Sequence, residues 1–361
     1  ITEHASQSGE KYATETRSEY WKMARAAMGA GVIIAILSLF KAYISGWHLP
    51  PFWEAVFFSL NYGIGFVIIH LLGFTIATKQ PAMTAARIAA AIDAANGRLS
   101  SADRVAELIA QVARTQFISI WGNVLPAFAT ATLLAVGLTL LFGEPPVELA
   151  KGEKMLFELN PLLSAALPHA AIAGVFLFLA GVIAGYYDNL SIYHRVPDRI
   201  RKVSWLRKRL GVVRANRLAD YLSKNTGALA GNFFFGCMLG SAGFIGLILG
   251  LPIDIRHITF AAANMAYGIQ AHGFMLGWVE ISIAALGVFL IGMVNLAVSF
   301  SFAFFTALRA RGVRRLESLS LAGRVAKRFW ATPSEFFYPP KDSVQENRPE
   351  AASPPAKAEA K

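Results

Sequence analysis

Six stretches of this chain are apolar over lengths that suit a membrane-crossing helix, and each is bounded by charges, prolines or amphipathic sequence. A hydrocarbon core takes about 20 mostly apolar residues in a helix. By that measure spans fall at about 23–44, 52–78, 117–142, 162–187, 227–251 and 274–308. The stretch Asn61–Ala85, NYGIGFVIIHLLGFTIATKQPAMTA, shows the grammar in one place. Its apolar run from Phe66 to Ile76 is broken by His70. Lys79-Gln80-Pro81 then supplies a charge, an amide and a helix-restarting proline where the hydrocarbon should end.

The connectors have patterns of their own. Residues 81–116 read as two amphipathic helices broken at Asn96-Gly97, the second capped by Ser100 or Ser101. There Arg104, Glu107, Gln111 and Arg114 share one face, and Val105, Leu108, Ile109 and Val112 the other. Pro126 is expected to kink the third span, Pro168 falls early in the fourth, and Pro252–His272 reads as a polar loop-helix. Residues 1–20 form a polar flank expected to fray, 309–338 a basic helix, and 339–361 a tail of disordered composition. The pattern predicts an all-α polytopic transmembrane bundle over residues 21–308, six helices as three parallel-oriented hairpins with amphipathic cytoplasmic connectors.

Composition agrees with the pattern. Hydrophobic residues make up 55% of the chain and charged ones 16%, which excludes an ordinary soluble domain. The 30 glycines suit helices packed closely in lipid. One cysteine, Cys237, excludes a disulfide framework or a thiolate metal cluster. The first residue is Ile with no leader pattern, so the chain is expected to be a piece of a longer protein. The net charge of +11 is concentrated in alternate loops: the N-terminal flank, the second-to-third connector, the fourth-to-fifth connector and the C-terminal flank. Positive loops face the cytoplasm, which places both termini there in a bacterial inner membrane.

Ionisable and amide groups inside spans are the candidates for function. Glu54, His169 and Glu280 fall near the starts of even-numbered spans, where they either form a polar mouth or snorkel to interfacial water. Asn61, His70 and Asn295 lie deeper, where they either bond a neighbouring helix or serve a proton or ligand path. Gly236 with Gly240, and Gly246 with Gly250, make two GxxxG pairs expected to face another helix. Arg201, Lys202, Arg207, Lys208 and Arg209 form a basic surface, read as inside-facing topology, an anionic-lipid contact or a nucleic-acid contact. Gly122-Asn123 and Gly231-Asn232 open the third and fifth spans alike, and Gly-Val-Phe-Leu recurs at 174 and 287, which invites a repeat reading.

Enzyme signatures are poor. Ser38-Leu39-Phe40-Lys41 matches SxxK without companion motifs, and Gly240-Ser241-Ala242-Gly243 fails GxSxG because position 239 is Leu. Walker A, HExxH and CxxC patterns are absent from the sequence, and no metal or cofactor is implied.

GFVIIHLLGFTIATKQPAMTA (Gly65–Ala85) and LPIDIRHITFAAANMAYG (Leu251–Gly268) resemble the Gcr-like proteins, a proteobacterial membrane family known as "site-specific recombinase". The resemblance runs from about Tyr20 to Pro339. It implies a longer protein with a helical N-terminal region, and by its name DNA rearrangement, but brings no catalytic residues with it. Tyrosine recombinases need a His-x-x-Arg, whereas His194 is followed at that spacing by Pro197 and His257 by Phe260. The expectation is a non-enzymatic transporter, channel or envelope-assembly component. Its partners would be the bilayer, anionic lipids, and a second copy or an envelope protein. DNA recombination or binding through the basic connectors is the alternative.

The loop charges set a labelling prediction. With Cys237 replaced, single cysteines at Ser45, Lys151 and Gln270 should react with a membrane-impermeant thiol reagent added outside. Those at Gly97 and Ser204 should stay silent until the membrane is opened. Labelling at position 204 in intact cells would refute the six-helix, termini-inside arrangement.

Overall fold

The computed structural model describes residues 14–76, 84–85, 88–91, 99–311 and 315–340. Lys79-Gln80-Pro81, the Asn96-Gly97 break, the first thirteen residues and the last twenty-one lie outside them. The helices are α1 (Arg17–Ser45), α2 (Pro51–Leu71), α3 (Leu99–Phe142), α4 (Leu149–Phe157), α5 (Ala166–Tyr193), α6 (Val196–Lys202), α7 (Ser204–Leu249), α8 (Ile258–Ala271), α9 (Trp278–Arg311) and α10 (Arg315–Ala331). Six of them, α1, α2, α3, α5, α7 and α9, are long and apolar enough to cross a membrane.

Several ends differ from the hydropathy reading for local reasons. α1 starts at Arg17, inside the flank expected to fray. Thr16 caps it, and Glu19 bonds back to the cap backbone to complete a capping box. α2 stops at Leu71, well short of Thr78, because Gly73 turns left-handed at φ 72°. Phe74 then lies over Gly29, and Thr75 N–H donates to Ala26 O at 3.1 Å. The amphipathic helix from Leu99 joins the third span without a break and continues through Pro126. α7 likewise joins the basic connector to the fifth span, interrupted where Gly211 takes φ 77°.

Contacts run α3–α1–α2–α7–α5–α9, and α8 closes the arc by touching α3, α9, α1 and α4. α8 differs most from expectation. It is no surface loop-helix: all but Asn264 and Ala271 of its residues are buried. Its first turn reaches deep, with Phe260 4.6 Å from the Tyr62 ring and 6.1 Å from that of Phe66. Its last turn returns to α4, where Gly268 and Gly152 allow the two backbones to meet. The segment Gly250–Ala271 therefore enters the bundle as extended chain and leaves it as a helix. Gln270 is buried and donates to Thr139 Oγ1 at 2.9 Å, so it is shielded from any aqueous reagent. Met275, 90% exposed just beyond, is the better labelling position at that end.

The terminal segments clasp at the opposite end. Arg114 donates to Thr14 O at 2.9 Å and to Glu335 O at 3.4 Å, and Tyr20 donates to Phe337 O at 3.0 Å.

Small residues set the approach of α7 to α2. A Cβ at Gly236 or Gly240 would collide with the α2 backbone at Tyr62-Gly63 or Phe58-Ser59. Gly246 and Gly250 act differently. Gly246 lies under the returning carbonyls of Leu251 and Ile253, and Gly250 ends the helix at φ 64° with open space around it. Gly240→Leu should therefore destabilise the protein by at least the about 1–3 kcal/mol of an overpacked core, measured as lost folded yield and lower thermal midpoint in detergent. Gly250→Leu should cost less than Gly240→Leu; the reverse order would refute the close α2–α7 contact.

Candidate functional site

The path of Gly250–His257 through the bundle is fixed from two sides. Asn295, in the middle of α9 and fully buried, accepts from Ile258 N–H at 3.0 Å. Its amide donates to Arg256 O at 2.9 Å and to Ala170 O at 2.8 Å. From α5, His169 Nε2 lies 2.9 Å from Pro252 O, and His169 O accepts from Arg256 N–H at 3.2 Å. His257, 1% exposed, caps α8 by accepting from Thr259 N–H.

This path carries charge to the wall of a cavity of about 480 Å³ between α1, α2, α4, α7 and α8. That volume lies in the ordinary range for ligand pockets. Arg256 pairs with Asp254 at 2.6 Å and with Glu158, at the end of α4, at 3.0 Å. Its side chain is 11% exposed, so both carboxylates act on a largely dehydrated guanidinium. Ser38 donates to the Asn264 side-chain oxygen at 2.6 Å across the cavity floor.

Two lysines in the same wall are held otherwise. Lys41 Nζ stands 5.1 Å from the Phe58 ring centre and 5.8 Å from that of Tyr62. Lys151 Nζ donates to Ala42 O at 2.7 Å and contacts Ser45 Oγ. Neither ammonium forms an ion pair with a carboxylate among the described residues. Burial, with the like charge of Lys41 second, lowers the Lys151 ammonium below its ordinary pKa.

Of the three residues read as a polar mouth, one lines the cavity. Glu54 lines the cavity, His169 braces its back wall, and Glu280 is exposed near the start of α9 outside it. The deep amides both bond neighbouring elements: Asn61 donates to Leu37 O at 2.9 Å, and Asn295 holds the backbone described above. His70 lies apart from the cavity, 3.1 Å from Asn225 Oδ1. Arg201, Lys202, Arg207, Lys208 and Arg209 are all exposed, with Arg201 paired to Asp198 and Asp220.

Tyr62, Asp254, Arg256 and Asn264 were not singled out by sequence, and Lys41 and Lys151 were not among its candidate site residues. Asp254, Arg256 and Asn264 do lie within the LPIDIRHITFAAANMAYG stretch, a polar run too long and too apolar in parts for a plain loop. Ser38 and Lys41, the weak SxxK match, share the cavity face of α1. No group of three or more His, Cys, Asp or Glu placed to hold a metal occurs among the described residues.

Comparison with known proteins gives one match. A family model described as "Site-specific recombinase" covers residues 1–339. No curated protein and no solved structure matches.

Asn295 bears on stability through three backbone groups at once. Asn295→Ala should orphan Arg256 O and Ile258 N–H, at about 1–3 kcal/mol for each buried group left unpaired, and should remove the tie to Ala170 O, which keeps its place in the α5 ladder. Asn61→Ala removes one such bond and should cost less. Thermal unfolding in detergent would show the ranking, and an Asn295→Ala loss no greater than that of Asn61→Ala would refute the bracing role.

Proposed function

The chain belongs to the site-specific recombinase family, and from this membrane architecture we propose a non-enzymatic role for the described portion: binding, and in the fuller reading moving, a small polar solute through the bundle. The observation that supports this is the re-entrant Gly250–Ala271 segment, which carries Asp254, Arg256 and Asn264 to a polar cavity between spans. Discontinuous helices are how many transporters set polar groups at membrane depth without exposing backbone to lipid. We place the protein in a bacterial inner membrane with both termini cytoplasmic, on the strength of the basic loops, so that the cavity faces outward.

The family's description suggests recombination, which requires a positioned nucleophile and stabilised phosphate charge. The near-match His257 is buried as a helix cap. The exposed basic surface at Arg201–Arg209 could retain DNA through charge alone, and such retention carries no chemistry.

The test uses protein in nanodiscs with Cys237→Ala. Asn264→Cys, facing the cavity, should react with a small hydrophilic thiol reagent, whereas Ala263→Cys, fully buried on the neighbouring face, should not. The same preparation should neither cleave nor join supercoiled DNA. An inert Asn264→Cys would remove the cavity reading, and a covalent DNA adduct lost in Tyr193→Phe or Tyr221→Phe would establish recombination instead.

A further inference from the structure

The cavity lining carries four cationic side chains against three anionic ones, and two of its lysines stand outside the ion pairs. Seven charged groups line it: Lys41, Lys151, Lys154 and Arg256 against Glu54, Glu158 and Asp254. Arg256 is taken by Asp254 and Glu158, and Lys154 stands 4.0 Å from Glu158. Glu54 lines the same cavity without forming an ion pair there among the described residues. Lys41 therefore has the Phe58 ring and the Tyr62 side chain as near neighbours, Lys151 a carbonyl and a hydroxyl, and the carboxylates of Asp254, Glu158 and Glu54 act on them only from beyond ion-pair distance. Ring faces offset part of the cost of withdrawing an ammonium from water, but less than an anion does.

The two lysines come from different elements, α1 and α4, and Lys151 Nζ rests on α1 at Ala42 and Ser45, within about a turn of Lys41. Tyr62 and Ser38 line the same cavity as Lys41. Gly243 of α7 is also in the lining and leaves open space where a side chain would otherwise stand. Leu247, a turn further along α7, lines the cavity and is exposed.

Resting on the cavity reading above, the geometry points to a binding site for a phosphate-bearing ligand whose anionic group sits between Lys41 and Lys151. Phosphate presents several acceptor oxygens, so two ammonium groups lining one cavity can be satisfied by one group. The ligand is either a free phosphorylated solute entering from the aqueous mouth or a lipid whose headgroup enters past Gly243. Binding would relieve the repulsion between the lysines and compensate the burial that lowers Lys151.

The experiment follows thermal unfolding of full-chain protein in neutral detergent at constant ionic strength, with inorganic phosphate exchanged for chloride. Short-chain phosphatidic acid, and short-chain phosphatidylcholine as a zwitterionic control, are titrated in parallel. Wild type should show a saturable rise in unfolding temperature with phosphate. Lys41→Met and Lys151→Met should each weaken the apparent affinity about 10- to 100-fold, as expected for a lost charge-assisted hydrogen bond. Lys208→Met, on the exposed basic surface, should leave it unchanged. Phosphatidic acid binding much more tightly than phosphate would identify the lipid source; equal affinity for the two would identify the free solute.

A second readout covers variants that fold poorly. Phosphate should slow modification of Asn264→Cys in the Cys237→Ala background. Equal stabilisation of wild type, Lys41→Met and Lys151→Met, or stabilisation by phosphatidylcholine as strong as by phosphatidic acid, would overturn the phosphate site. Rapid labelling of Asn264→Cys with no effect of phosphate on labelling or unfolding would also overturn it, while leaving the cavity reading intact.

Discussion

Backbone N–H and C=O groups inside a lipid-spanning bundle must find partners within the protein, and the segment Gly250–His257 is where this chain strains that requirement. Extended chain at this depth has no helical ladder to use. Leu251 N–H turns back to Gly246 O at 2.9 Å, and Ile253 N–H to Leu251 O at 2.8 Å. Pro252 has no N–H to place. Ile255 N–H uses the Asp254 side chain at 2.8 Å, Arg256 N–H uses His169 O, and Ile258 N–H uses Asn295. Two spans, α5 and α9, thus lend groups to a third element. The bracing of the re-entrant turn ties α8 to the bundle and delivers Arg256 to the cavity.

Close approach makes room for an inserted helix. α8 is rich in alanine and glycine, and its neighbours answer with small residues of their own: Gly152 in α4 and Gly292 in α9, where a Cβ would strike Ile258. Lipid gives apolar side chains little reason to prefer protein, so helices in it associate through tight van der Waals contact and hydrogen bonds. Tyr267 adds one such bond, donating to Ala35 O at 2.9 Å from a fully buried position. The glycine face of α7 does the same work against α2, and the cavity survives where this closeness relaxes at Gly243.

Charge is distributed by the same geometry. Arg256 lies at the end of the braced turn, and Asp254 and Glu158 meet it from the turn itself and from α4. Lys41 and Lys151 line the same cavity without forming an ion pair with a carboxylate among the described residues. The basic surface of α6 and α7 is separate and exposed, with aspartates at hand for Arg201. Two groups of basic residues therefore differ in kind: one is exposed on the surface, and the other lines a cavity between helices.

The sequence by itself determined the helical class and the six apolar helices, because about 20 apolar residues in succession have few other solutions and this pattern is local. It also marked the two polar-interrupted stretches that carry the family resemblance, and the family itself. Helix ends escaped it where single residues decide them, as at the Thr16 cap and at Gly73. Tertiary structure alone decided that Pro252–His272 folds inward, since its polar groups become tolerable only once His169 and Asn295 are present to pair them. It likewise decided which lysines line the cavity. Lys41 in a span end and Lys151 in a loop read as ordinary interfacial charges, and only the meeting of α1, α4 and α8 places both on one cavity wall.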